Sequence, residues 1–294
     1  MFDLFVFYLY KSFKFIVLLL PKFLVKWFLD ALSYLIYAID KEHRNYAYAN
    51  VDFVYGDKIS DQYKKEIVQG SYRTLVYNLY DFIENQKLTL EGFEKKITPV
   101  NEDILLDAIH NKRKIILITA HYGNWEYGNT YIPLKYMPTT MVGRPMNNKH
   151  FNNELNKTRT RNNTEMLAKR DAARGLVKAL KNNRIVGLVI DQHNGDGIEV
   201  EFLGHKVLQA DSASKLAVKF NAVIIPVFFQ RVSFGNYKMI FYEKIEPKDY
   251  EGITQIKKLT QTQADIISKH ILQEPTQWFW QHKRFKEFHK NIYN

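Results

Sequence analysis

His121 is followed five residues later by Glu126, with Gly123 between them, and the run before the histidine, residues 114–120, is short, apolar and β-branched. An imidazole beside a carboxylate can take a proton from an alcohol, because the carboxylate fixes the ring tautomer and makes the far nitrogen a better base. On a regular helix five residues turn through about 500°, leaving the two side chains roughly 140° apart. A turn at Gly123 is what could bring them together. The alternative is a histidine that only satisfies backbone in a loop. Arginine's planar fork suits a phosphate or a developing oxyanion, and Arg144 lies in the stretch 143–148, Arg159 and Arg161 in 158–163. Each could equally be a solvated surface charge. Asp191 and Gln192 close another apolar run, where a carboxylate could act directly or orient an arginine. At the far end, residues 278–286 interleave tryptophan and phenylalanine with His282, Lys283, Arg284 and Lys286, a mixture that fits a membrane interface or base stacking.

The elements that must hold these groups alternate. Apolar runs predict strands over 114–120, 139–143, 184–191, 200–203, 222–230 and 237–243. Helical patterns fall over 101–111, 124–136, 150–168, 171–183, 212–221 and 254–273, with Asp171 and Asp211 placed as N-caps. Residues 41–98 read as packing helices, one of them starting after a capping Ser60. The strand at 114–120 would then end in a corner at the carboxyl edge of the sheet, where ligands bind in such folds. The expected class is α/β, a mixed sheet flanked by helices, with residues 41–294 as one domain behind an N-terminal helical membrane anchor, residues 1–40. In that anchor Lys11, Lys14, Lys22 and Lys26 fall within about 120° on a helical wheel. The pattern predicts an amphipathic helix in a membrane interface, lysines toward anionic head groups, divided or kinked at Pro21. A spanning helix with snorkelling lysines and a core helix are the alternatives; a cleaved signal peptide is not expected.

Composition narrows the chemistry. The 294 residues include no cysteine, which removes disulfides, thiolate metal sites and a cysteine nucleophile together. The formal charge is +11, and between Arg144 and Arg184 eleven Lys/Arg stand against three Asp/Glu. Anionic partners follow: phosphorylated lipids, an acidic carrier protein or nucleic acid. No Gly-x-Ser-x-Gly elbow supplies a serine nucleophile, and no His-Glu-x-x-His supplies a metal site.

Six stretches, in order, carry a resemblance: the His-x4-Glu of His121 and Glu126, the Gly143-Arg144-Pro145 turn, the arginine at 161, Asp191-Gln192, the hairpin residues Phe202-Leu203-Gly204, and the closing Trp280 to Lys286. From about His43 to Lys286 the chain resembles the late acyltransferases of lipid A biosynthesis, the lauroyl/myristoyl family of Gram-negative inner membranes. The resemblance implies a glycerolipid acyltransferase-like, or lysophospholipid acyltransferase-like, fold. It implies transfer of a fatty acyl chain from acyl carrier protein to a hydroxyl of an acyl chain on the Kdo-lipid A precursor, at the cytoplasmic face of the inner membrane. Acyl carrier protein, the lipid A precursor and an anionic membrane would be the partners, with no nucleic acid, no metal and no cofactor beyond the donor's phosphopantetheine. His121 would be the general base, worth about 10²–10⁴ in rate, oriented by Glu126. Arg161 would stabilise the oxyanion or hold donor phosphate, and Asp191 would support the arginines. Asn124, Arg144, Arg159, Gln192, Lys283 and Arg284 would contact substrate. Another glycolipid acceptor, such as a mannosylated phosphoinositide, and a non-catalytic lipid- or nucleic-acid-binding protein are the rival readings. Family members carry a single N-terminal membrane helix, which four lysines interrupt here.

Overall fold

The computed structural model of the chain describes residues 2–168 and 172–294, so the expected cap at Asp171 lies outside the described residues. The chain begins with two helices, α1 (Phe2–Leu19) and α2 (Lys22–Ile39), divided at Leu20 and Pro21. Proline lacks the N–H an inner turn needs but starts a new helix readily. Then come α3 (Lys41–Tyr55), the long α4 (Asp61–Asn85) and α5 (Leu90–Glu94). Ser60 caps α4, its hydroxyl accepting from the Tyr63 amide.

From β1 (Ile97–Val100) onward helices and strands alternate: α6 (Asp103–His110), β2 (Ile115–Thr119), α7 (Tyr127–Lys135), β3 (Thr139–Gly143), α8 (Lys149–Arg159), β4 (Thr164–Ala168), α9 (Ala172–Lys181) and β5 (Ile185–Val189). A two-stranded hairpin, β6 (Ile198–Phe202) and β7 (His205–Gln209), precedes α10 (Ser212–Phe220), β8 (Val223–Ser233), β9 (Asn236–Phe241) and α11 (Gln255–Gln273). The seven-stranded sheet has the order β1-β9-β8-β2-β5-β3-β4. It is parallel from β8 to β4, while β9 runs antiparallel to β8 and β1 parallel to β9. The mixed sheet expected from the alternation is therefore present.

Every residue of β2 is buried, as a central parallel strand covered on both faces must be. On one face Ile116, Ile118, Val186 and Leu188 pack against Leu180, Ala217 and Ile267 of α9, α10 and α11. On the other, Ile115, Leu117, Ile185 and Ile225 meet Phe93, Leu105 and Tyr131 of α5, α6 and α7. The helix expected over 150–168 stops at Arg159. Asn163 takes a left-handed turn (φ 62°), and Thr164 then enters an edge strand, its hydroxyl donating to the Asn129 carbonyl at 2.6 Å. Asp211 makes no capping bond and pairs instead with Lys215 at 2.8 Å.

The N-terminal helices pack Val17, Val25 and Leu29 onto Val76, Tyr80 and Ile83 of α4. Their outward side exposes Phe5, Phe15, Leu19, Phe23, Trp27 and Tyr34. Among the described residues no helix is long and apolar enough to cross a membrane. Two of the four lysines point differently from expectation. Lys14 and Lys11 turn toward Glu154 of α8, at 3.0 and 3.5 Å, and Lys26 pairs with Asp30. Half-buried Glu154 needs counter-charge, so the lysines of α1 serve the protein and the aromatics face outward.

Candidate active site

The corner after β2 is built by close backbone approach. Gly123 has φ 52°, and a Cβ there would lie 1.9 Å from the Phe229 carbonyl oxygen. Its amide donates to the Gln277 carbonyl at 3.0 Å, and the Asn124 amide to Phe229 at 2.9 Å. The Phe279 amide donates to the His121 carbonyl at 3.0 Å. The corner is thus wedged between β8 and the segment after α11, and only glycine fits its tightest point.

His121 meets a carboxylate, but not that of Glu126. Its Nδ1 lies 2.8 Å from Asp191 Oδ1, and its backbone amide donates to Asp191 Oδ2 at 2.9 Å. The indole Nε1–H of Trp278 donates to the same Oδ2 at 2.7 Å. Sheet register produces the pairing: β2 and β5 align Leu117 with Gly187 and Thr119 with Val189, and two residues further the same offset sets His121 beside Asp191. Burial would raise the Asp191 pKa, but the His121 imidazole and these donors outweigh it and hold the carboxyl below its ordinary value. An ionised Asp191 fixes the imidazole proton on Nδ1 and leaves Nε2 as the basic nitrogen. Among the described residues Nε2 has no hydrogen-bond partner, and the side chain keeps 23% exposure.

Glu126 stands where α7 begins and faces α8. Its Oε2 accepts from Arg159 Nε at 2.9 Å and from Asn129 Nδ2 at 3.0 Å, and its Oε1 pairs with Arg159 Nη2. Burial alone would lower the Arg159 pKa, yet the Glu126 charge raises it. This bidentate pair ties the corner to α8. Orientation of His121 therefore falls to Asp191, not to Glu126.

Several other expected site residues are held in structural contacts. Arg161 is exposed and donates to the carbonyls of Asn85 and Gln86, capping the C-terminal end of α4, where a cation is favoured. Asn124 is fully buried and donates to Asp81 at 3.0 Å. Arg284 is fully buried, donating to the Leu208 carbonyl and Gln209 and lying 4.8 Å from the Phe202 ring centroid. Lys283 sits over the Tyr46 ring at 4.1 Å. Trp278 and Trp280 are core residues, so the closing aromatic and cationic stretch is an internal brace. Arg144 is exposed at the end of β3, and Gln192 is half-buried beside Asp191.

Sequence reasoning missed what lies beneath. A narrow apolar cavity of about 20 Å³ runs between the sheet and α7, room for a single water. Trp125 stands at one end, its ring edge-on to His121 at 5.1 Å, and Ile132, Thr139 and Ile185 stand at the other. Met141 fills the middle: a Cβ on Gly187 would meet its sulfur at 2.0 Å. The signal in the sequence was a glycine at the centre of an otherwise bulky aliphatic strand, which marks close approach by another group.

The model of one family, described as bacterial lipid A biosynthesis acyltransferase, matches residues 1–287. A phosphatidylinositol mannoside acyltransferase of Mycolicibacterium smegmatis is 22% identical over 191 residues, covering 63% of this chain and 60% of that protein. A lipid A biosynthesis palmitoleoyltransferase of Escherichia coli is 25% identical over 188 residues (63% and 60%), and a lauroyltransferase of the same organism 27% over 184 residues (61% and 58%). The chain thus spans about three fifths of the length of these curated relatives. Among solved structures, the 1-acyl-sn-glycerophosphate acyltransferase PlsC of Thermotoga maritima aligns with 84% of this chain and 97% of its own at 13% identity, with a TM-score of 0.39.

Proposed function

Because this chain belongs to the bacterial lipid A biosynthesis acyltransferase family, we propose that it transfers a fatty acyl chain from acyl carrier protein to a hydroxyl on a lipid A precursor. The observation that carries the reading is a histidine held by a buried carboxylate and set edge-on to Trp125, which lines an apolar cavity. In this reaction His121 Nε2 takes the acceptor hydroxyl proton as the oxygen attacks the thioester carbonyl. Asp191 stabilises the imidazolium that forms. The tetrahedral intermediate expels the donor thiolate, which recovers the proton from Nε2, so no acyl-enzyme is needed.

The fatty chain enters the cavity beside Trp125 and displaces Met141, whose unbranched thioether side chain repacks readily. From the level of Thr119 to that of Ile185 is four residues of strand, about 13 Å at 3.3 Å each. A methylene zigzag of ~1.5 Å bonds and ~111° angles advances about 1.25 Å per carbon, so that length matches roughly ten carbons, with the volume supplied by Met141 and its neighbours moving aside. The exposed aromatics of α1 and α2 lie on the membrane, at the cytoplasmic face where acyl carrier protein is found, and the basic stretch between Arg144 and Arg184 meets the acidic carrier and lipid phosphates. No cofactor beyond the donor's phosphopantetheine takes part.

The test incubates purified protein with a panel of acyl-carrier-protein thioesters and either a Kdo-bearing lipid A precursor or a mannosylated phosphoinositide. Products are read by mass. Gain of one acyl chain on the lipid A precursor, abolished by His121→Ala, is expected. Acylation of the phosphoinositide alone would change the acceptor, and transfer surviving His121→Ala would remove the general base.

A further inference from the structure

Beneath the corner lies a buried polar cluster that the proposed chemistry does not use. Asn78 and Asp81, three residues apart on α4, share a helix face and are 7% and 1% exposed. Asn78 Nδ2 donates to the Gly123 carbonyl at 2.8 Å. Asp81 Oδ2 accepts from Asn124 Nδ2 at 3.0 Å and from the Tyr237 hydroxyl of β9. Two consecutive corner residues are therefore gripped by one turn of α4. One is held by its main-chain oxygen and the other by its side chain, and Asp81 is in turn held from β9.

We propose that Asn78 and Asp81 are positioning residues for the acyl transfer: together they clamp Gly123 and Asn124 so that His121 stays on Asp191 and Glu126 on Arg159. The inference rests on the acyl-transfer reading for its kinetic test only. Neither residue touches substrate. Geometry that keeps reacting atoms in place is worth much, since a shift of about 1 Å can cost on the order of 100-fold.

The cluster also sets how the clamp responds to substitution. Both donors converge on one oxygen of Asp81. The Oδ1 of Asn78 has no hydrogen-bond partner among the described residues, and the Tyr127 hydroxyl lies close against Asp81. Asparagine at 81 can place its amide oxygen under both donors and its amide N–H toward those two oxygens. Both donors are neutral groups, an amide N–H and a phenol O–H, which an amide oxygen can also accept, and burial already pushes the Asp81 pKa up to about 6 against the pull of the Tyr237 hydroxyl.

The experiment compares Asp81→Asn, Asp81→Leu and Asn78→Ser in the full chain, each checked for a cooperative thermal transition. Two readouts are used: steady-state transfer, and the hydrogen-bonded Nδ1 proton of His121 in imidazole-labelled protein by NMR. Asn78→Ser and Asp81→Leu are expected to lower kcat about 10- to 100-fold, leave both KM values within threefold, and broaden or shift the Nδ1 proton. Asp81→Asn is expected within threefold of wild type on both readouts. Wild-type kcat and an unchanged Nδ1 proton in folded Asn78→Ser overturn the clamp, as does a tenfold loss in folded Asp81→Asn. Should Asp81→Leu fail to fold, Asn78→Ser decides. If the wild type transfers nothing, the acyl-transfer reading has failed, and the Nδ1 proton across the variants decides the clamp by itself.

Discussion

Replacing Asp191 by asparagine changes one atom and should reverse the histidine. Three donors surround the carboxylate: Nδ1–H of His121 on Oδ1, and the His121 amide and the Trp278 indole on Oδ2. Asparagine has one acceptor oxygen and two N–H donors. With the oxygen toward Trp278 and the His121 amide it keeps two bonds and turns its NH2 toward Nδ1. The opposite flip keeps one bond and sets N–H against two buried donors, each costing about 1–3 kcal/mol unsatisfied. The first arrangement wins, so Nδ1 becomes the acceptor and the imidazole proton moves to Nε2. A protonated Nε2 cannot take the hydroxyl proton. The loss should be the full general-base contribution, about 10²–10⁴ in kcat, or roughly 3–5 kcal/mol of barrier, with KM for donor and acceptor little changed. The assay is steady-state acyl transfer alongside nitrogen-15 shifts of the His121 ring, which report the tautomer directly. Unreduced kcat in Asp191→Asn, or the Nε2 tautomer appearing without loss of kcat, would refute the reasoning.

Glu126→Gln breaks the ion pair with Arg159 but leaves the His121 tautomer alone. Its kcat should fall less than that of Asp191→Asn, about 10-fold, with the His121 ring spectrum unchanged; a larger loss than Asp191→Asn would return the orienting role to Glu126. Met141→Ala should shift donor preference toward longer acyl chains and Gly187→Ala toward shorter ones, because an added Cβ closes on Met141. One or two methylenes of discrimination are worth ~1–3 kcal/mol, and identical chain-length profiles in both variants and wild type would disprove the cavity's role. For pH, burial pushes His270 down to about 3 and His282 down to about 4, below the unfolded value near 6.5. The unfolded chain binds these protons first, so stability is complete above about pH 6.5 and falls as pH drops toward the folded values. At pH 5 each histidine should cost about 2 kcal/mol, from 1.5 units at 1.36 kcal/mol per unit. Asp81, with its raised pKa, works in the opposite direction over this window, so the quantity to read is the difference between wild type and His270→Phe in chemical denaturation at pH 7 and 5. An unchanged difference between the two pH values would exclude His270.

The sequence by itself determined the alternation of elements, because hydrophobic period and turn residues are local. Strand β2, the corner at Gly123 and the division of the N-terminal helices at Pro21 were all legible in this way. The motif histidine was legible too, since its type and its place at a strand end are properties of a short stretch. Edge strand β4 was not: Thr164 to Ala168 become a strand through pairing with β3, a partner 25 residues away. Partners of charged groups were decided only by tertiary structure. His121 finds Asp191 seventy residues on, because β5 lies beside β2 and the register carries through to the strand ends. Glu126, five residues from His121, is claimed instead by Arg159 on α8. The arginine expected at the oxyanion caps α4, and the closing tryptophans and Arg284 are buried supports. Spacing along a chain limits which side chains can meet. Which of them do meet follows from the order of strands in the sheet and from where burial forces each charge to find its counter-charge.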